Sequence, residues 1–283
     1  MKIPKRIEAL IEEGLVDTVV CQLMSGKEAM VYVVRCGVNL RCAKVYKETT
    51  QRSFHQSVDY TEGRRIKNSR RARAMEKGSR YGCKTQEDAW QSAEVDALYR
   101  LAGAGVRVPQ PYNFFEGVLL MELITDSNGD VAPKLHDLVL TAEQAREYHR
   151  SLIRQVVQML CAGIIHGDLS QYNVLVGNEG LVIIDLPQAV DAAGNNNARS
   201  MLKRDVDNLT AYFSRFAPEL RHTDYGSEIW SLYQSGRLYS EIELSGRFEH
   251  NEKPADVGSV MRAVHIVLKR EAAWQWHRQQ MRG

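Results

Sequence analysis

Asp168 and Asn173 stand five residues apart in the run His166-Gly167-Asp168-Leu169-Ser170-Gln171-Tyr172-Asn173, and a second carboxylate, Asp185, follows twelve residues later behind the apolar run Val182-Ile183-Ile184. Two carboxylates and an amide in this pattern suit phosphoryl transfer. One carboxylate orients an attacking hydroxyl and accepts its proton, while an amide oxygen and the other carboxylate hold a metal ion against the phosphates. Magnesium takes oxygen ligands and draws only one or two carboxylates from the protein, leaving its other positions to phosphate and water. Asn173 and Asp185 fit that economy, with Asp168 as the base and manganese as an alternative metal. Either aspartate alone reads equally well as a turn cap or a strand end. The combination is much harder to obtain by chance.

Such groups need rigid elements around them. Residues 4–13 read as a short helix, with Ile7, Leu10 and Ile11 on one face and Gly14 as its stop. Val16–Leu23, Met30–Cys36 and Leu40–Tyr46 read as strands, with turns at Ser25-Gly26 and Gly37-Val38-Asn39. Residues 47–84 break the pattern, and from 62 to 84 nine Lys or Arg face two Glu, so a mobile basic loop is expected. A helical period returns over 86–102, Val106–Phe115 is irregular or extended, and Val118–Ile124 is an apolar strand. Thr141–Ala162 reads as a long helix opened by a capping box, Thr141 with Gln144. Short strands at Val174–Val176 and Leu181–Ile184 then bracket the chemistry. Further helices are expected at 203–216, 226–239 and 256–280. The last of these carries Trp274 and Trp276 and should pack on the larger part. The change from strands to helices near residue 125 divides the chain into a β-rich lobe, 1–124, and an α-rich lobe, 125–283.

The bulk numbers exclude several classes. A chain of 283 residues, 44% apolar and 25% charged, has the composition of an ordinary globular protein large enough for two lobes. Five cysteines with no C-x-x-C pair argue against a disulfide framework or a zinc site. The basic start Met1-Lys2-Ile3-Pro4-Lys5-Arg6 is not followed by a signal-type apolar run, and no stretch is apolar for long enough to span a bilayer. A cytoplasmic protein without membrane partners is expected. A net charge of +2 does not by itself mark a nucleic-acid binder.

The D-x4-N spacing with a later aspartate behind a strand matches the catalytic and metal loops of protein kinases. On that pattern, Lys44 in Cys42-Ala43-Lys44-Val45-Tyr46 binds the α- and β-phosphates of ATP and pairs with a helix glutamate, for which Glu94 is placed. A lysine inside an apolar strand is costly to bury unless paired. The loop Ser25-Gly26-Lys27-Glu28-Ala29-Met30-Val31 occupies the place of the glycine-rich loop over the phosphates. Aligned on Val31 it keeps only Gly26, with Met24 and Ala29 where the other glycines would be. Ser25, Lys27 and backbone amides can still meet phosphate there. Leu119–Ile124 falls at the hinge, where Met121 lines the pocket and the backbone of Glu122 and Ile124 offers adenine a carbonyl and an amide. Leu175 supplies part of the apolar floor. Outside the kinase pattern, these hinge residues read as plain core strand.

The stretches S-G-K-E-A-M-V-Y at 25–32, C-A-K-V-Y-K at 42–47, H-G-D-L-S-Q-Y-N-V-L-V at 166–176 and I-I-D-L-P-Q-A-V at 183–190 resemble the RIO family of atypical protein kinases. R-D-V-D-N-L at 204–209 looks like the family's helix after the metal loop, and the resemblance covers roughly residues 5–240. It is nearest to the subgroup with a long basic loop between the lysine strand and the glutamate helix. The resemblance implies an α+β bilobal kinase fold, ATP with Mg²⁺, and phosphorylation of protein serine, including the protein's own. For some members it also implies a link to maturation of the small ribosomal subunit. Gly167 in place of the Arg of H-R-D, and Leu186-Pro187 after Asp185, fit a compact kinase without an activation loop. Ala217-Pro218-Glu219 is then a coincidence.

Two other readings compete. Aminoglycoside- or choline-type phosphotransferases share H-G-D-x4-N, although Gln171-Tyr172 and the Ser25–Glu28 loop favour RIO. A ribosome- or RNA-associated ATPase switch would use the basic segment 62–84 with Arg262, Lys269, Arg270, Arg278 and Arg282, and its binding would weaken steeply with salt.

Overall fold

The computed structural model describes residues 4–26, 28–47 and 93–248. The basic loop, the residues opening the 86–102 helix, Lys27, and the expected 256–280 helix with Trp274 and Trp276 lie outside the described residues.

The chain opens with α1 (Lys5–Glu12), then three strands, β1 (Thr18–Ser25), β2 (Ala29–Cys36) and β3 (Asn39–Tyr46). A helix, α2, covers residues 93–103. β4 (Pro111–Phe115) and β5 (Val118–Glu122) complete an antiparallel sheet of order β1-β2-β3-β5-β4. Its two faces follow the period-2 alternation of side chains along a strand. Tyr32, Val34, Ala43, Val45, Val118 and Leu120 bury one face under Ile7 and Leu10 of α1. The alternate residues Lys44 and Leu119 are paired in register on the other face, and Val31 lies opposite Lys44. A slip of one residue would exchange the faces, so the apolar seal by α1 also fixes where Lys44 points.

The second half is mostly helical. α3 (Ala142–Cys161) begins with the expected capping box, Gln144 N donating to Thr141 Oγ1 at 3.2 Å and Thr141 N to Gln144 Oε1 at 3.0 Å. Short strands follow: β6 (Ile164–Ile165), β7 (Val174–Gly177), β8 (Gly180–Ile183) and β9 (Val190–Asp191). β7 pairs with β8 and β6 with β9, all antiparallel. α4 (Ala198–Phe213) and α5 (Tyr225–Gln234) close the core.

Two helix expectations are corrected. α4 starts at Ala198 rather than 203, because Ala198, Met201 and Leu202 extend its buried stripe upstream. α5 stops at Gln234 rather than 239, because Ser235-Gly236 turns the chain with Gly236 at φ 68, a conformation open to glycine. Only residues 186–197 join the Asp185 region to α4, so no long activation segment intervenes. Among the described residues no helix is long and apolar enough to cross a membrane.

Candidate active site

The sheet face bearing Lys44 turns toward β8 and α2. Lys44 Nζ lies 2.6 Å from Glu94 Oε1 and 3.0 Å from Asp185 Oδ1. The lysine and Glu94 are almost fully buried, at 12% and 6% side-chain exposure, whereas Asp185 is half exposed, at 48%. Burial opposes the charge on Lys44, but Glu94 and then Asp185 outweigh it and hold the ammonium pKa well above its ordinary value. Burial likewise opposes ionisation of Asp185, and the Lys44 ammonium overcomes it, so the carboxyl sits below the usual range. Asp185 is therefore an anion at neutral pH, as a metal ligand must be.

Tyr46, two residues past the lysine and so on the same face, donates its hydroxyl to Glu94 Oε2 at 2.7 Å. Desolvation and the glutamate charge push its pKa well up, so the phenol keeps its proton. Each oxygen of Glu94 thus has a donor, which a buried carboxylate requires. Behind this group lies a narrow cavity of about 30 Å³, lined by Lys44, Glu94, Leu98, Leu119, Met121 and Asp185 among others.

The loop that carries Asp168 hangs from three anchors. Asp205, buried on α4, accepts the backbone N–H of Gly167 at 2.8 Å and of Leu169 at 2.9 Å. Burial raises its pKa to about 6. Arg204 donates to the Gly167 carbonyl, and Asn208 donates to the Leu169 carbonyl at 3.2 Å. Gly167 itself has φ 82, a left-handed conformation that explains a glycine where other kinases carry arginine. His166 Nε2 lies 3.1 Å from the Ile184 carbonyl, and its Nδ1 is 3.3 Å from the Asp168 amide. The tautomer with the proton on Nε2 satisfies both contacts. Burial raises the pKa of Asp168, the Asp185 charge adds to this, and His166 and Arg204 oppose it.

Asn173 donates from Nδ2 to the Asp168 carbonyl at 2.9 Å, which leaves its amide oxygen free to face a metal. Its own carbonyl accepts from Ile184 N at 3.0 Å, bringing residue 173 beside Asp185. Asp185 has φ 68, rare for a non-glycine residue and typical of strain held at a functional site. Asn173 and Asp185 supply two hard oxygen donors beside an ammonium, a donor set that fits Mg²⁺ shared with phosphate.

The hinge and roof are placed less uniformly. Met121 lines the cavity. The Ile124 side chain is buried with Ala132 and Val182, and Leu175 packs against that group. The Ile124 carbonyl is already taken, accepting Ala132 N at 3.0 Å. The Glu122 carboxylate is engaged by Arg107 at 2.7 and 2.8 Å. Val31 sits beside Lys44 across β2–β3, while Ser25 is exposed at the end of β1. Lys47 Nζ donates to the Gly26 carbonyl at 2.6 Å, just past the end of β1.

Sequence reasoning missed Tyr46, Arg107, Lys134 and Asp205. For Asp205 a signal existed, because a carboxylate on the buried stripe with Leu202 and Leu209 is anomalous. For Lys134, whose charge helps lower the Asp185 pKa from a backbone bridge opposite Leu175, no sequence signal pointed to the cleft.

A five-stranded sheet over a helical part, with a buried Lys–Glu pair at their junction and an Asp–Asn loop beside it, is a kinase-like fold and cleft. The RIO domain pattern matches residues 30–225, more than half of the chain. The RIO-type serine/threonine-protein kinase Rio1 of Haloferax volcanii is 34% identical over 216 residues, covering 74% of this chain and 68% of that protein. The serine/threonine-protein kinases RIO1 of Chaetomium thermophilum and of Homo sapiens are 28% and 29% identical over 73% of this chain. This chain covers only 41% and 35% of their respective lengths. The chain belongs to the RIO family of atypical kinases, for which ATP is the implied phosphoryl donor.

Proposed function

We propose that this protein transfers the γ-phosphoryl group of ATP to a serine or threonine hydroxyl of a protein, itself included, with Mg²⁺ or Mn²⁺ as cofactor. The observation that carries the reading is Lys44 Nζ placed between Glu94, at 2.6 Å, and Asp185, at 3.0 Å. The buried ammonium is pre-aimed at the α- and β-phosphates, and Glu94 with Tyr46 keeps it from swinging away. Asp168 orients the acceptor hydroxyl and takes its proton. Burial raises its pKa, which makes it a better base than an ordinary aspartate. Asn173 and Asp185 would hold the metal, which when bound neutralises charge on the phosphate oxygens. Val31, Met121 and Leu175 would sandwich the adenine, with Ser25 and Lys27 toward the phosphates. The Glu122 carbonyl and the Ile124 amide would read its edge.

The same reading divides the lobes at residues 124 and 125 and places the protein in the cytoplasm. Contact with ribosomal RNA through 62–84 is a separable part of it, to be recognised by binding that weakens steeply with salt. The small-molecule phosphotransferase and the ATPase switch are not favoured, since the relatives are named protein kinases.

The test is transfer of labelled γ-phosphate to the protein itself and to a mixed protein substrate, alongside ADP binding with Mg²⁺. Asp168→Ala should lose transfer by a factor of about 10² or more while keeping nucleotide affinity. Asp185→Ala should lose both transfer and Mg²⁺-dependent affinity. Full turnover in Asp168→Ala would sink the reading.

A further inference from the structure

Arg107 lies outside every role assigned above, yet it touches three elements of the cleft. It sits in the segment between α2, which carries Glu94, and β4. Its guanidinium meets Glu122 in a fork, Nη1 to Oε2 at 2.7 Å and Nη2 to Oε1 at 2.8 Å. Nη1 also reaches the Val108 carbonyl at 3.2 Å, and Nη2 lies 3.6 Å from Glu179 Oε2 in the β7–β8 turn. Its main-chain carbonyl accepts Ile183 N at 2.9 Å, two residues before Asp185. One residue thus joins the proposed hinge strand, the segment leading from the Glu94 helix, and β8, which ends two residues before Asp185.

Glu122 is held on its other sides as well. Its amide donates to the Gln110 carbonyl at 2.9 Å, and Gln110 N donates to Glu122 Oε2 at 3.1 Å. Arg41, directly opposite Glu122 across β3–β5, is stacked over the Tyr112 ring at 4.0 Å. The forked pair is only about one-third exposed, at 30% and 26%. That geometry places it among the stronger charge-assisted contacts. The Glu179 contact is long and its carboxylate is 78% exposed, so it adds little.

We propose that Arg107 is a positioning residue for adenine recognition, holding the hinge backbone at Glu122 in the orientation that presents its carbonyl to the base. The inference rests on the nucleotide-binding reading above. The fork fixes both the position and the roll of the Glu122 side chain, and through it the peptide plane that follows. A lysine at 107 keeps the charge but not the two parallel hydrogen bonds. The clamp acts on the base and not on the phosphates, which Lys44 and the metal ligands address.

That division supplies the test. Calorimetric affinities for Mg²⁺-ADP and for inorganic tripolyphosphate with Mg²⁺, which lacks the base, are measured on the full chain and on Arg107→Met, Arg107→Lys and Glu122→Gln. Arg107→Met should weaken ADP about tenfold and tripolyphosphate less than about twofold, with KM for ATP rising more than kcat falls. Arg107→Lys should fall between the two, and Glu122→Gln should reproduce the loss. The double variant should lose little more than either single change, the mark of two groups acting as one pair. If Arg107→Met does not fold, Glu122→Gln carries the same expectation and Arg107→Lys a smaller loss of ADP affinity in the same direction. Unchanged ADP affinity in the folded variants, or equal losses for ADP and tripolyphosphate, would overturn the proposal while leaving the kinase reading intact. No ADP binding by the unmodified protein would overturn both.

Discussion

Asp205 shows how much a single buried carboxylate can govern. Its two oxygens accept the amides of Gly167 and Leu169, which flank Asp168, the proposed base. Replacing it with asparagine keeps the volume but turns one oxygen into an NH₂ group facing an N–H donor. Leaving a buried amide unsatisfied costs about 1–3 kcal/mol. Asp205→Asn should therefore lower kcat by roughly ten- to a hundredfold through a displaced loop. Mg²⁺-ADP affinity should fall less than kcat, because Lys44, Glu94 and Asp185 hang from other anchors and only Asn173 shares the loop, through the Asp168 carbonyl. A loss of affinity equal to the loss of kcat, measured by calorimetry and phosphate transfer, would contradict this division of labour.

At the scale of elements, α1 is the piece whose role is least obvious from its position at the start of the chain. Its Ile7 and Leu10 are buried against the sheet face opposite the cleft. Through the alternation of β3, covering Ala43 and Val45 on that face commits Lys44 to the other. Leu10→Ala should destabilise the protein by about 2–5 kcal/mol, as large-to-small core substitutions do, in denaturant unfolding. A change below about 0.5 kcal/mol would mean that α1 is not part of the cooperative core. Of the helices expected in the second half, α3 keeps its expected ends, α4 and α5 form with displaced ends, and 256–280 lies outside the described residues. The buried stripe of α4 runs upstream of the expected start at 203 through Ala198, Met201 and Leu202, and α5 ends where Gly236 supplies a turn.

Across the whole molecule, pH acts through buried groups of opposite sign. His149 is buried between Phe213 and Tyr225, with its Nε2 3.0 Å from Thr210 Oγ1. Desolvation lowers its pKa from 6.5 to about 4. Between those values the unfolded chain binds the proton and the folded one does not. Stability is therefore full above pH 6.5 and is lost as pH falls toward about 4, by at most about 3 kcal/mol for this group. Asp205, raised from 3.8 to about 6, works the other way, its contribution present below 3.8 and lost as pH rises through about 6. His149→Gln removes only the first effect. Its stability, relative to that of the unmodified protein, should rise as pH is lowered from 7 to 4.5 in urea unfolding. A constant difference across that range would refute the assignment.

The linear order of residues by itself marked the RIO family and the residues proposed for its chemistry. Asp168, Asn173 and Asp185 stand close in the chain, so one loop and one strand bring them together. Neighbouring residues of any strand face opposite ways, as Lys44 and Val45 do, and Thr141 with Gln144 marked the start of α3 through a contact made within four residues. Tertiary structure alone decided which distant groups complete the site. Tyr46 caps a glutamate 48 residues away, Asp205 holds amides 36 and 38 residues back, and Arg107 reaches the hinge across 15. Local patterns report which face a side chain takes. They do not report which part of the chain will lie opposite, because that is settled by the packing of whole elements around a shared core.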